Sequence, residues 1–334
     1  MSHTDPSRLP FGVASYTFPF SCGWARREGR APFPQPLRAP DLIALATEHH
    51  LSGIEIPLAT MLPDLSDTTI DDLRATLAAA NLGLVADTGV IDIAALREQL
   101  PLAARAGARV VRAMLSSILE GARADLPGGW QAYLHEMRRR IAELRPLLEE
   151  YDLVLAIENH QDATSDDLLA LCEAGSGRVG ITFDVVNPLA VGEEPFAFAR
   201  KIGAWIRNVH IKDYQIYPTS SGYRLVRAAI GHGVIDWAAM LALLREVAPS
   251  APQHIELAAL YARHIRLLED QWWSGYPPRD VRDLVPVLRF VAQHAHAGDK
   301  PWQTPWERDA PDEEVELYER GQFEDSVAHL RSII

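Results

Sequence analysis

Four side chains that could bind a metal ion or carry a proton follow apolar segments in the second half of the chain. They are Glu158 in LVLAIENH, Asp184 in VGITFDVVN, His210 in IRNVHIKD and Glu256 in PQHIELA. Each segment is mainly apolar and β-branched, which is typical of a buried parallel strand with a polar group at its C-terminal end. Three carboxylates and one imidazole at one end of a sheet favour a divalent cation, with Mn²⁺, Mg²⁺ and Zn²⁺ as candidates.

The intervals between these residues fit repeated strand and helix units. Glu158 and Asp184 are 26 residues apart, and so are Asp184 and His210, which is about the length of one such unit. The interval to Glu256 is 46 residues, because it contains the insertion YPTSSGYRLVRAAIGHG. A single buried Glu, Asp or His is commonly a hydrogen-bonded structural group. Three carboxylates held together without a cation would repel one another and lose solvation, which favours a metal site.

Eight strand-like and eight helix-like segments alternate along the chain. The predicted strands are residues 11–18, 53–59, 83–90, 108–115, 153–160, 179–187, 206–213 and 252–258. The predicted amphipathic helices are residues 36–50, 69–81, 92–107, 129–151, 164–175, 194–203, 236–247 and 281–295. Thr164 and Asp167 form a candidate capping pair. The alternation predicts an α/β fold, a (β/α)8 TIM barrel with long loops after its strands and a C-terminal extension.

The composition indicates one globular domain. A chain of 334 residues with 48% hydrophobic residues can bury one large core, and a barrel of about 250 residues with extensions uses that length. Residues 1–10 are predicted to be disordered, residues 11–297 to form the metal-dependent barrel, and residues 298–334 to form an extension packed on its outside.

Charge and cysteine content exclude several kinds of partner. A net charge of −13 disfavours nucleic acid, because binding to phosphates needs a basic excess. The sequence has no apolar run of about 18 residues, so we expect no membrane span. The two cysteines, Cys22 and Cys172, lie far apart and favour a reduced, cytoplasmic setting. The expected partner is a small molecule.

The strings AIENHQD, FDVVNPLAVGE, VHIKD and HIELA resemble those of the xylose isomerase-like TIM barrels, a superfamily of sugar isomerases, epimerases, dehydratases and AP endonucleases. The resemblance extends from about Phe11 to His296. It implies that Glu158, Asp184, His210 and Glu256 bind one catalytic divalent metal, with Mn²⁺ favoured over Mg²⁺, Co²⁺ and Zn²⁺. The metal would hold adjacent oxygens of a sugar or sugar acid, with Glu158 and Glu256 as proton carriers. The acidic charge argues against the endonuclease branch.

Two positions depart from the pattern of the sugar epimerases in that superfamily. The epimerases have a histidine three residues after the aspartate and an arginine six after the histidine, where this chain has Asn187 and Ile216. ENHQD followed by NPLAVGE instead resembles members that act on oxo-sugars or oxo-sugar acids as lyases, decarboxylases or C-glycoside-cleaving subunits. The prediction is therefore a lyase acting through a metal-stabilised enediolate. The alternatives are a ketose isomerase or epimerase, and a non-catalytic sugar-binding barrel.

Further polar side chains are placed near the metal by their positions in the chain. His160 lies two residues after Glu158, on the same face if the strand continues, and is predicted to be catalytic. The predicted substrate-binding residues are Tyr16, Arg112, Asn187, Lys212, His232 and Trp273. For Arg112, pairing with Asp87 or Glu158 is the alternative, and Glu55 is interpreted as structural. A homo-oligomer or a small accessory subunit is also expected.

Overall fold

Eight parallel strands close into a barrel in this computed structural model, which describes residues 8–29, 31, 33–297 and 302–334. In chain order the strands are β1 (Gly12–Ala14), β2 (Gly53–Ile56), β3 (Gly83–Val90), β4 (Val110–Met114), β5 (Val154–Glu158), β6 (Val179–Asp184), β7 (Ile206–Ile211), β8 (Asp213–Thr219), β9 (Gly222–Ala228), β10 (Gln253–Ile255) and β11 (Arg263–Ile265). The barrel consists of β1 to β7 in sequence order, with β10 between β7 and β1. The predicted fold class is confirmed.

Helices cover the outside of the barrel and seal its core. They are α1 (Ala39–Glu48), α2 (Leu58–Met61), α3 (Asp67–Ala79), α4 (Ile93–Arg105), α5 (Trp130–Glu150), α6 (Ser165–Ala174), α7 (Pro195–Ile202), α8 (Trp237–Val247), α9 (Val281–His294) and α10 (Asp312–Ile333). Thr164 and Asp167 form the predicted capping box at the start of α6. The barrel helices bury apolar stripes in the core, as in α5, where Leu134, Met137 and Ile141 are buried.

The register of the barrel strands brings the polar strand ends together. Asp184 of β6 lies opposite His210 of β7, and His210 lies opposite His254 of β10. Glu158 ends β5 opposite Thr182, two residues before Asp184. Because all eight strands are parallel, their carboxyl ends share one rim of the barrel, and the side chains at that rim converge.

A second sheet, of three strands, lies beside that rim. This sheet was not predicted from the sequence. The insertion between His210 and Glu256 forms an antiparallel hairpin of β8 and β9, and β11, from the segment after β10, pairs with the free edge of β9. The hairpin starts at Asp213, directly after β7, so its base lies at the barrel rim.

The last helix, α10, packs against the loop that follows β1. Phe323, Val327 and Leu330 of this helix join the main hydrophobic core. The buried carboxylate of Glu319 accepts hydrogen bonds from the backbone N–H groups of Phe20 at 2.8 Å and Ser21 at 3.0 Å, and from the Ser21 hydroxyl at 2.8 Å. The loop after β1 is thus fixed by a residue about 300 positions later.

The N-terminal segment for which disorder was predicted falls largely outside the described residues, as do residues 298–301. Within it, Leu9 is buried, and its backbone N–H donates to the carbonyl of His50 at 2.9 Å. Among the helices that the structure describes, none is both long and apolar enough to cross a membrane.

Candidate metal centre and active site

Three buried side chains meet at the carboxyl ends of β5, β6 and β7. Glu158, Asp184 and His210 each offer one ligand atom, and these atoms all lie within 4.8 Å of one another. Their side chains are almost fully buried, so the polar atoms are withdrawn from bulk solvent. Carboxylate oxygens and an imidazole nitrogen at this separation suit a divalent cation.

A buried carboxylate on β2 fixes the orientation of the His210 ring. Glu55 Oε1 lies 2.8 Å from His210 Nε2, and Asn208 Nδ2 donates to Glu55 Oε2 at 2.7 Å. Burial would raise the pKa of Glu55, but the charge and hydrogen bond of His210 lower it to about 2, so this carboxylate stays ionised. Since His210 Nε2 is engaged by Glu55, its Nδ1 faces Glu158, 3.7 Å from Oε1.

Arg112 on β4 links two carboxylates inside the barrel. It donates to Asp87 at 2.8 Å and to Glu158. Burial would raise the pKa of Glu158, but the Arg112 charge and the contact with His210 hold it well below its usual range. Arg112 is itself buried and occupied by this pairing. Asp87 and Glu158 are the two partners that the sequence offered for Arg112 as the alternative to a substrate.

Asp184 and Glu256 are joined by one ammonium group. Lys212 Nζ lies 2.6 Å from Asp184 Oδ2 and also forms an ion pair with Glu256. Glu256 lies at the same rim, but it does not belong to the group of three mutually close ligand atoms among the residues described. On the other side, Asn159 accepts from the Asp184 backbone N–H at 2.6 Å and donates to its carbonyl at 2.9 Å. Asn159 thereby fixes the strand end that presents the Asp184 carboxylate.

The arrangement fits a bound cation on two counts. Asp184 Oδ1 and His210 Nδ1 are both buried without a hydrogen-bond partner among the described residues, and such atoms cost free energy unless a ligand satisfies them. Within the described residues, Glu55, Asp87, Glu158, Asp184 and Glu256 are buried, and their ion pairs include only two permanent cations, Arg112 and Lys212, while Glu55 pairs with His210. A divalent ion at the three ligand atoms would balance much of this excess negative charge.

His160 lies beside this group as a neutral imidazole. Its Nδ1 is buried and has no hydrogen-bond partner among the residues that the structure places. Burial is the main cause that lowers the pKa of His160 to about 3, against the opposing charge of Glu158. A neutral imidazole beside a cation site can accept a proton or bind a polar ligand atom.

The other predicted substrate-binding residues fall into two sets. Tyr16 is 37% exposed and packs on Trp24, with its pKa raised by burial and by the charge of Asp87. Asn187 is buried after β6, and its side-chain Nδ2 lacks a partner within the described structure. Both lie at the rim, since Tyr16 follows β1 and Asn187 follows β6.

The structure places the remaining two predicted residues elsewhere. Trp273 contacts Tyr276 edge to face, with ring centroids 5.1 Å apart, and its indole N–H donates to the Leu267 carbonyl at 2.8 Å. It is thus packed within its own loop. His232 is exposed and lines a cavity between the hairpin and α10 together with Tyr217 and Tyr318. The structure brings neither residue into the group of metal-ligand atoms.

Three positioning residues were missed or undervalued in the sequence. Glu55 was interpreted as structural, although a lone carboxylate in the apolar string GIEI is a signal of a buried polar partner. Asn208 lies two residues before His210, and Asn159 directly follows Glu158, so each is adjacent to a candidate ligand. The partner of each of these residues depends on the register between neighbouring barrel strands. The sequence of a single strand does not determine that register.

Fold and site together define a (β/α)8 barrel with a buried group of side chains that suits a divalent metal ion. The model of one family, the xylose isomerase-like TIM barrels, matches residues 43–271. The chain belongs to this family, as the sequence predicted.

Two relatives in sequence align over much of the chain. YihM of Escherichia coli K12, an uncharacterized protein, is 26% identical over 218 residues, and the alignment spans 64% of each chain, slightly under two thirds of YihM. A 3-oxo-isoapionate decarboxylase of Pectobacterium atrosepticum is 24% identical over 272 residues, or 79% of this chain and 92% of the decarboxylase.

Three solved structures share the fold at low sequence identity. The probable 3-DHS dehydratase AsbF of Bacillus anthracis has a TM-score of 0.55 and 16% identity, covering 75% of this chain and 93% of its own. A xylose isomerase-like TIM barrel protein of Mycobacterium smegmatis in complex with magnesium has a TM-score of 0.54 and 17% identity, covering 86% and 98%. The 3-keto-D-glucoside 4-epimerase YcjR of E. coli has a TM-score of 0.54 and 14% identity, covering 86% and 100%. These similarities establish the fold.

Proposed function

We propose that this protein is a divalent-metal-dependent enzyme that acts on an oxo-sugar or oxo-sugar acid through an enediolate, and that it is a lyase. The observation that carries the proposal is the buried group of Glu158, Asp184 and His210, whose ligand atoms lie within 4.8 Å of one another. A resident ion would stabilise the negative charge that develops on sugar oxygens when a bond next to a carbonyl breaks.

Glu158, Asp184 and His210 are the residues that we propose to hold the ion. Two oxygen donors and one nitrogen donor are compatible with Mn²⁺, our preferred metal, and with Mg²⁺, Co²⁺ or Zn²⁺. The M. smegmatis structure contains magnesium, which supports a hard divalent ion in this fold. Glu256 and Asp184 both contact the ammonium group of Lys212. We propose that the Glu256 carboxylate leaves this ammonium group when the ion binds and becomes the fourth ligand.

Two groups are available for proton transfer at the rim. The His160 Nδ1 has no partner within the described structure, and we propose that this imidazole accepts or delivers the proton of the reacting carbon. Glu256 is the proposed second proton carrier. Lys212, in contact with both carboxylates, would hold Glu256 at the rim until the ion binds.

The preference for a lyase over an isomerase rests on two features. Ile216 occupies the position of the arginine expected in the sugar epimerases, and it is fully buried in β8, where it offers no polar group. In addition, a relative that aligns over 92% of its own length is named as a decarboxylase of an oxo-sugar acid. A small-molecule sugar substrate and a cytoplasmic setting complete the proposal, and both cysteines are unpaired and buried.

The test is turnover by the Mn²⁺-loaded protein in D₂O with oxo-sugars, oxo-sugar acids and 3-oxo C-glycosides, beside simple ketoses. We expect deuterium incorporation together with a released fragment, such as CO₂, water or an aglycone, detected by mass spectrometry. The matched control is Asp184→Ala, which should be inactive at every metal concentration. Interconversion of ketoses without a fragment would make the protein an isomerase, and absence of both reactions would refute the enzyme proposal.

A further inference from the structure

One face of the three-stranded sheet carries two arginines and a tyrosine above the barrel rim. Tyr214 of β8 lies opposite Arg227 of β9, and Arg263 of β11 lies opposite Leu225, two residues from Arg227. Directly opposed residues of antiparallel strands point to the same face, and diagonal neighbours are about 7 to 8 Å apart. Arg227 and Arg263 are therefore neighbours on one face, at the end of the hairpin closest to the rim.

Contacts with the barrel place this face beside the proposed metal centre. Arg227 Nη1 donates to the carbonyl of Leu257 at 3.1 Å, and Leu257 directly follows Glu256. Tyr214 follows Lys212 by two residues, and the Arg227 guanidinium lies 5.2 Å from the Tyr214 ring. The charge of Arg227 opposes the rise in the pKa of Lys212, which is consistent with this proximity.

These three side chains have donors without partners. Arg227 Nε, Arg263 Nε and the Tyr214 hydroxyl are all buried and lack a hydrogen-bond partner in the parts of the chain described. Tyr214 is 0% exposed and Arg227 is 5% exposed. Burying a polar donor without a partner costs free energy, so three such donors on one face indicate a missing acceptor.

The charge on this face is also incompletely balanced. Arg263 has only a distant carboxylate, Glu120, at 3.8 Å, and Arg227 forms no ion pair with any residue that the structure describes. Burial and the charge of Arg227 both lower the pKa of Arg263. By contrast, the cations chosen from the sequence, Arg112 and Lys212, already contact two carboxylates each. The unsatisfied positive charge thus lies on the three-stranded sheet.

We propose that Arg227, Arg263 and Tyr214 bind the carboxylate of a sugar acid whose oxo group faces the metal centre. A guanidinium presents paired N–H donors that match a carboxylate, and the tyrosine hydroxyl supplies a third donor. This inference rests on the proposed function and narrows its substrate to the acids. The carboxylate-binding group comes from the three-stranded sheet, whereas the proposed metal ligands come from barrel strands.

The experiment compares matched ligands that differ in one carboxylate: D-glucuronate with D-glucose, and D-gluconate with D-sorbitol. Binding to the Mg²⁺-loaded protein is measured by titration calorimetry. We expect the wild type to prefer both acids, and Arg227→Gln/Arg263→Gln to lose at least about 30-fold in affinity for them, because a buried, charge-assisted contact is removed. Metal content should not change, which separates carboxylate binding from chelation.

Two further variants keep the test decisive. Arg266→Gln, an exposed arginine three residues after Arg263, should retain the preference for acids. Arg263→Gln alone changes a partly exposed side chain and should fold even if the double variant does not, with a smaller loss of affinity. A wild type without preference for acids, or a folded double variant that keeps it, overturns the inference.

Failure of this inference can be distinguished from failure of the proposed function. If the wild type converts neutral oxo-sugars as efficiently as acids, the enzyme proposal stands and the carboxylate-binding group is refuted. If acids bind through the arginines but none is converted, the binding group is supported and the enzyme proposal fails. For an acid that is converted, the double variant should raise KM with little change in kcat, as expected for uniform binding.

Discussion

Replacing Glu55 by glutamine tests whether this buried carboxylate controls the metal centre or only stabilises the barrel. Glu55 accepts from His210 Nε2 at 2.8 Å and from Asn208 Nδ2 at 2.7 Å. An amide has one acceptor oxygen, so Glu55→Gln can satisfy only one of these donors. Rotating the Asn208 amide to compensate would break its contact with His254 Nδ1 at 3.2 Å.

The magnitude follows from the group that is lost. A hydrogen bond to a charged group contributes about 1.5 to 3 kcal/mol, and loss of a carboxylate that orients a metal-binding histidine commonly lowers metal affinity about 10- to 100-fold. That factor equals about 1.4 to 2.7 kcal/mol, so the two figures agree. We therefore expect Glu55→Gln to weaken Mn²⁺ binding about 10- to 100-fold.

The assay is competition for Mn²⁺ with a fluorescent chelator, combined with a thermal unfolding measurement. The control Glu98→Gln changes an exposed carboxylate in α4 and should leave metal affinity unaltered. If Glu55→Gln unfolds at a lower temperature but binds Mn²⁺ as tightly as the wild type, Glu55 is purely structural. The reasoning that His210 Nδ1 faces the metal because Glu55 holds Nε2 would then be wrong.

Three further predictions concern other buried groups. Asp184→Ala should lose bound metal by elemental analysis, and full occupancy would exclude Asp184 as a ligand. His160→Ala should keep metal and fold but lose turnover by roughly 10²-fold, whereas near-normal turnover would make His160 structural. Burial raises the pKa of Glu319 to about 7, so the native state retains a proton that the unfolded state releases near its ordinary pKa of 4.5. The free energy of unfolding, measured in urea, should therefore fall by about 3 kcal/mol as the pH rises from 4.5 to 7. Glu319→Gln should remove most of this pH dependence, and Glu313→Gln should leave it unchanged.

The barrel and the convergence of three of its strand ends could be predicted from sequence because both follow from local patterns. Apolar β-branched runs alternate with amphipathic helices, and parallel strands present their carboxyl ends at one rim. Glu158, Asp184 and His210 needed no further information to be placed together. Their roles as metal ligands stay predictions until metal binding is measured.

Partner choice at the rim could not be predicted in the same way. Lys212 was assigned to substrate, and for Arg112 pairing with Asp87 or Glu158 stayed open beside substrate binding, because whether a buried cation meets a ligand or a neighbouring carboxylate depends on cross-barrel distances. Arg227 and Arg263 were overlooked because the pairing of β9 with β11 joins two separate loops. Contacts between distant segments leave no periodic signal in either one.

The contact between Glu319 and the loop after β1 has a consequence for the order of assembly during synthesis. Glu319 and Phe20 are 299 residues apart in sequence, so the loop cannot acquire its buried acceptor until nearly all of the barrel has left the ribosome. Contacts of such long range form late because the intervening chain must first be ordered. A nascent chain that stops before α10 would therefore complete its strands while Tyr16 and Trp24, which belong to the same segment, lack their fixed position at the rim.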